Sequence, residues 1–180
     1  MLRLVFSLIF VAGIVASAGA KGLYGKPIYN PETRSYFELV RAHESEGGKK
    51  RWFEMERFAR AKIFKGVQGR LAKVKSASVN FFLMENLRPD EASWIGLYLD
   101  CSSGKWAWSD GEAFARDGYT NWHPTKWDYA YGNDPNKICD GNSPYAAVAY
   151  YPIQDSFRWF IKRKGKGYDT MIVEYPTGGE

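Results

Sequence analysis

The side chains able to do chemistry in this 180-residue chain gather in its second half. His123, in Asn121-Trp122-His123-Pro124, could act as a base. Asp128, Asp134, Asp140 and Asp155 could pair as acid and base. No serine or cysteine stands in a recognisable nucleophile context. Two histidines, His43 and His123, and two cysteines, Cys101 and Cys139, give no metal-ligand spacing. The chain is therefore not expected to be an enzyme. Binding chemistry remains. Trp127, Tyr129 and Tyr131 lie in a polar, irregular stretch where a ring could stack on a ligand. Lys162-Arg163-Lys164-Gly165-Lys166 places four charges in five residues. Such a run can steer a sulfated glycan, a lipopolysaccharide, an acidic surface or a partner chain, screened by salt. The plainer reading is a solvated hairpin.

Those groups need a scaffold, and the composition supplies one: 45% hydrophobic and 17% aromatic residues exclude a disordered chain. Residues 1–20 read as a signal peptide, with Arg3, an apolar stretch from Leu4 to Val15, and small Ala18 and Ala20. The alternative is an uncleaved membrane anchor. Cleavage leaves one domain's length, and no later apolar run is long enough to span a membrane. The net charge of +5 is too mild to argue for nucleic acid. A secreted or periplasmic protein is expected. In an oxidising compartment the even cysteine count suggests one disulfide, Cys101 to Cys139; two free thiols are the alternative.

Residues 21–34 read as an N-terminal lead-in. Tyr36 to Val40 is a short strand. Trp52 to Phe64 reads as a helix, with Trp52, Met55, Ala59 and Ile63 recurring at three- and four-residue steps and Phe58 widening the stripe. Gln68 to Val74 is weakly strand-like. Ser76 is positioned to cap a second helix with an apolar face of Val79, Phe82, Leu83 and Leu87, closed by Arg88-Pro89. Both helices are expected against one core. Trp94 to Leu99 and Lys105 to Trp108 form a hairpin turned at Ser102 to Gly104. Glu112 to Asn142 lacks periodicity, and a loop of that length is often functional. Ala146 to Tyr151, Arg158 to Ile161 and Met171 to Tyr175 read as strands. Segregated helices and strands make the class α+β.

Several segments, taken in order, resemble the C-type lectin-like domain: Trp94-Ile95-Gly96-Leu97, Trp106-Ala107-Trp108-Ser109-Asp110-Gly111, Tyr119-Thr120-Asn121-Trp122 and Ile172-Val173-Glu174-Tyr175. Trp52 and Gly66 to Ala72 fit as well. The last strand is similar to that of bacterial members. The resemblance covers roughly Ser35 to Tyr175, places the domain at residues 35–180, and implies a C-type lectin-like fold: two helices, short antiparallel sheets and a long irregular loop. Alternation on Trp94-Ile95-Gly96-Leu97 demands cover on both faces, one from the helices and one from the base of the long loop. Gly96 admits a close, bulky neighbour. Most of the tryptophans serve core packing, Trp122 included.

In sugar-binding members a loop motif and a later Trp-Asn-Asp motif supply calcium oxygens. Asp134-Pro135-Asn136 resembles the first, making Asp134 and Asn136 the candidate metal ligands. If Trp159 matches the later tryptophan, Phe160 and Ile161 stand where oxygen ligands belong, so the motif is incomplete. No cofactor is expected, with calcium the candidate exception. The cysteines also depart from the family's usual pairs, and a Cys101–Cys139 bridge would staple the hairpin to the end of the long loop. The resulting expectation is an exported, non-catalytic protein-interaction component of an extracytoplasmic or surface assembly. The alternative is a carbohydrate-binding lectin, calcium-dependent or not. Candidate binding residues are Trp127, Tyr129, Tyr131, Asp134, Asn136, Lys162, Arg163 and Lys164.

Overall fold

The computed structural model describes residues 22–42, 50–115, 117–123, 138–139, 145–153, 156–162 and 167–180. Strand β1 is Ile28–Asn30, inside the segment read as a lead-in. It pairs with β2, Ser35–Arg41, which pairs along its whole length with β10, Thr170–Tyr175. The first and last long strands of the domain therefore lie side by side, as the order of elements predicts. Strand β6, Ser93–Asp100, follows β10; then come β8, Tyr145–Ile153, and β9, Ser156–Lys162. Two short strands attach to this path: β5, Arg70–Leu71, to β10, and β7, Lys105–Trp108, to β6. The expected antiparallel pairing holds between all these strands except β6 and β10, which run parallel. The buried hydroxyl of Ser93 donates to Thr170 Oγ1 at 3.1 Å across that junction.

Helix α1 is Trp52–Ala61, and α2 is Ala77–Leu87. Glu54 folds back to accept from the Arg51 amide at 2.7 Å and fixes the start of α1. The helix ends three residues earlier than its periodicity suggests. Lys62 is extended, and a hairpin of β3, Ile63–Phe64, and β4, Val67–Gln68, follows. Its two-residue turn has positive φ at both Lys65 (49°) and Gly66 (76°). Once the chain leaves the helix at Lys62, Ile63 drops out of the helical stripe; it is 73% exposed, not core. Helix α2 begins as predicted, with Ser76 Oγ accepting from the Val79 amide at 3.1 Å. It ends at Arg88 in the left-handed region, φ 47°.

The helices do not share one core. Trp52, Met55 and Ala59 of α1 pack with Tyr36, Val40, Trp94, Met171 and Val173. Val79, Leu83 and Leu87 of α2 pack with Phe37, Leu39, Ile95, Leu97 and Ile172. Side chains on β2, β6 and β10 alternate between these clusters, so each sheet face has its own helix. Residues 106–122, the base of the long loop, join the α2 side. Gly96 is needed for backbone, not for a bulky side chain. A Cβ there would lie 2.6 Å from Leu71 O, and the Gly96 amide donates to Ala72 O at 2.9 Å. Glu174, buried in β10, accepts from Arg70 at 2.9 and 3.2 Å, Ser35 Oγ at 3.0 Å and the Lys73 amide at 3.1 Å.

Candidate functional site

The described framework of the long loop is built on β9. At its entry, the Trp159 amide donates to Asn121 O at 2.8 Å, and the His123 amide donates to Trp159 O at 3.1 Å. Residues 121–123 thus run beside β9 through a parallel Trp122–Trp159 bridge. Trp159 is fully buried, with the edges or faces of Trp108, Phe114, Tyr119 and Trp122 at centroid distances of 5.3–6.4 Å. Trp106 completes the group 5.5 Å from Trp122. Trp106 and Trp108 thus sit under the base of the loop, and Trp122 is a packing residue as expected. The indole nitrogens of Trp106, Trp122 and Trp159, and His123 Nδ1, are buried with no hydrogen-bond partner among the described residues.

A polar network supports the same entry and was missed from sequence. Asn121 Nδ2 donates to Phe157 O at 2.6 Å and Asn80 Oδ1 at 3.1 Å, while Arg158 Nη1 donates to Asn121 Oδ1 at 2.6 Å. Tyr150 OH donates to Asn80 O at 3.0 Å. Burial pushes the Tyr150 and Tyr119 hydroxyls up, so both stay neutral. The sequence signal was Asn80 itself, an amide next to Val79 on the buried side of α2.

At the exit of the loop, Ile138 is buried in the α2-side cluster, and Cys139 packs against it in part. Cys139 is disulfide-bonded to Cys101, 38 residues away, as the cysteine count suggests. Cys101 opens the β6–β7 turn. Asp100 holds that turn by accepting from Ser102 N at 2.9 Å, Ser102 Oγ at 2.7 Å and Ser103 Oγ at 2.6 Å. These donors, led by the Ser103 hydroxyl, lower the Asp100 carboxyl to a pKa of about 2.

Of the sequence-predicted binding residues, Lys162 is described. It ends β9 opposite Ala147, with its ammonium 5.5 Å from the Tyr168 ring centroid. Trp127, Tyr129, Tyr131, Asp134, Asn136, Arg163 and Lys164 lie outside the described residues. Among the described residues no three His, Cys, Asp or Glu side chains form a group able to hold a metal. The second half of the expected calcium site does not fit the ion. The Phe160 ring stacks on His123 at 4.5 Å, Ile161 packs against the core, and neither carries a side-chain oxygen.

Residues 59–141 match the family model of the lectin C-type domain. The low affinity immunoglobulin epsilon Fc receptor of Mus musculus is 38% identical over 77 residues, 43% of this chain and 20% of that protein. The chain thus spans about a fifth of the length of the curated relative it matches. Among solved structures, the cow C-type carbohydrate-recognition domain of CD23, determined in the presence of a GlcNAc2Man3 oligosaccharide, aligns with a TM-score of 0.53. It is 19% identical and covers 82% of this chain and 91% of that one. A calcium-independent type II antifreeze protein aligns with a TM-score of 0.52 at 20% identity, covering 89% and 93%. The fold is that of the C-type lectins. The bacterial affinity read from Ile172-Val173-Glu174-Tyr175 is not supported, because the matched curated relative is an animal receptor.

Proposed function

We propose that this chain, whose fold is that of the C-type lectins and whose residues 59–141 match the lectin C-type domain model, acts outside the cytoplasm as a calcium-independent, non-catalytic binding protein. On this reading residues 1–20 are a signal peptide, residues 21–34 a lead-in and residues 35–180 the binding domain. The mature protein is secreted or periplasmic and serves as a protein-interaction component of a surface assembly. Trp127, Tyr129 and Tyr131 form the contact surface of the long loop.

The observation that carries this reading is the pair Phe160 and Ile161 on β9. One is covered by the His123 ring and the other by the core, where a calcium-dependent site would need oxygens. The Cys101–Cys139 bridge supports it as well, tying the loop's exit to the β6–β7 turn without an ion. A carbohydrate ligand is the second reading, favoured by the oligosaccharide-associated structure of the same fold. On either reading calcium binding through Asp134 and Asn136 would be weak, because Phe160 and Ile161 bring no side-chain oxygens.

Thermal unfolding in excess chelator and in 1 mM calcium tests the proposal. A site with a Kd near 1 mM adds only about 0.4 kcal/mol at that concentration, or roughly 1–2 °C for a domain of this size. The two curves should nearly coincide. A rise of several degrees that Asp134→Ala abolishes would overturn the calcium-independent reading. A glycan array with and without calcium, beside a pull-down from the native source, decides between protein and sugar. Trp127→Ala should weaken whichever is captured.

A further inference from the structure

Two basic runs that are far apart in sequence have their described ends drawn together around Tyr168. The first ends Lys49-Lys50-Arg51, and the second begins at Lys162. Lys50 and Tyr168 form an antiparallel bridge, with the Lys50 amide donating to Tyr168 O at 3.1 Å. The contact is backbone on backbone: a Cβ added to Gly167 would lie 1.6 Å from Lys50 O and 2.4 Å from Lys50 C. Only glycine permits that approach.

An aromatic hub fixes the two runs against each other. Trp94 Nε1 donates to Lys50 O at 3.0 Å, and the Trp94 and Tyr168 rings lie 4.9 Å apart. The Lys162 ammonium rests over the Tyr168 ring. Arg51 is exposed at the start of α1, and Glu54 is turned back onto the Arg51 amide. Arg163, Lys164 and Lys166 follow Lys162 in the chain, and Lys49 precedes Lys50. In sequence the two runs carry Lys49, Lys50, Arg51, Lys162, Arg163, Lys164 and Lys166. Lys50, Arg51 and Lys162, the described cations of these runs, thus lie about the Trp94–Tyr168 hub.

We propose that Lys50, Arg51 and Lys162, brought onto one surface by the Gly167 contact, bind a sulfated polysaccharide. The inference rests on the exported role proposed above and is separate from the long-loop candidates. Two adjoining short basic segments suit a linear polyanion, and Lys/Arg-rich runs of this kind have the chemistry of heparin-type patches. A membrane surface would call for apolar side chains beside the cations. Among the described residues, of the exposed large hydrophobics Leu23, Phe53, Ile63 and Phe81, Phe53 alone adjoins them in sequence.

The experiment measures retention of the disulfide-bonded protein on immobilised heparin across a salt gradient, with vesicles containing phosphatidylserine as the second arm. Wild type should bind heparin and elute with salt. Lys50→Gln and Lys162→Gln should each weaken binding, and the double variant should lose about tenfold or more. Gly167→Ala keeps every charge and should still elute earlier, because the runs are forced apart. Circular dichroism checks folding; if Gly167→Ala does not fold, the Lys50 and Lys162 variants decide. Lys26→Gln, at an exposed lysine outside both runs, should leave heparin retention unchanged, and Lys50→Gln should leave the pull-down of the long-loop reading unchanged, which separates the two surfaces. No retention of wild type, binding to vesicles in place of heparin, or a Lys50→Gln protein identical to wild type would each overturn the proposal.

Discussion

Removing the Cys101–Cys139 bridge should cost stability through the unfolded chain more than through the native contacts. The bridge closes 38 residues of sequence, and loop-closure entropy for that length amounts to about 4 kcal/mol. The native structure has little reason to collapse when the bond is cut. The β6–β7 ladder remains paired from Leu97–Trp108 to Asp100–Lys105, and Asp100 still holds the turn through Ser102 and Ser103. Ile138 keeps its buried place beside the former bridge. A Cys101→Ser/Cys139→Ser protein should therefore be folded, with a native fluorescence spectrum from its seven tryptophans. Its unfolding free energy in urea should fall by up to about 4 kcal/mol, and its melting temperature by roughly 8–16 °C. The urea m-value should rise, because the uncrosslinked chain expands further on unfolding. Wild type in a strong dithiol reductant should behave the same way. A loss under about 1 kcal/mol with an unchanged m-value would refute the entropic argument. Loss of the native spectrum without denaturant would show that the bridge holds the β6–β7 turn in place.

Gly96→Ala should destabilise the domain by about 3 kcal/mol, since its Cβ would lie 2.6 Å from Leu71 O and 3.0 Å from Ser109 Oγ. Chemical denaturation measures this, and a change below about 0.5 kcal/mol would contradict the close approach. Acid should weaken the fold through Asp110 and Glu112. Burial, the largest single effect, raises the Asp110 carboxyl, but the Lys73 hydrogen bond, the Glu112 amide and the Lys73 and Arg70 charges together outweigh it and the net shift is downward; hydrogen bonds from Lys73 and Lys75 lower Glu112. Depressed folded-state values mean that this stability is complete above the unfolded carboxylate pKa of about 4 and is lost as pH falls through the folded values. Lys73→Met should flatten that part of the pH–stability curve measured by thermal melts, and an unchanged curve would count against the ion-pair account.

Local chemistry made much of the fold legible in the sequence. Val79, Leu83 and Leu87 repeat at helical spacing behind a serine cap, and α2 begins where Ser76 places it. Trp94, Ile95 and Leu97 cannot share a face of a strand, so β6 had to be covered on both sides, as it is. The cysteine pair was fixed by number, since two cysteines allow one intramolecular bridge. The absence of oxygen ligands at Phe160 and Ile161 was visible from residue type alone. Other features depend on contacts between residues far apart in the chain, which periodicity does not encode. Helical spacing ran through Ile63, but the positive-φ turn at Lys65-Gly66 takes the chain into a hairpin and leaves that side chain in solvent. Spacing did not show that the two helices lie over opposite sheet faces, or that β10 runs parallel to β6. Asn80 and Asn121 become partners only when α2 packs under residues 121–123. The meeting of Lys50 with Tyr168, whose ring lies under Lys162, likewise requires the chain entering β10 to return past the start of α1, with a glycine at 167 where two backbones touch. Side-chain type and local spacing therefore determined which elements form and which groups lack calcium chemistry, while long-range packing decided which of those groups share a surface.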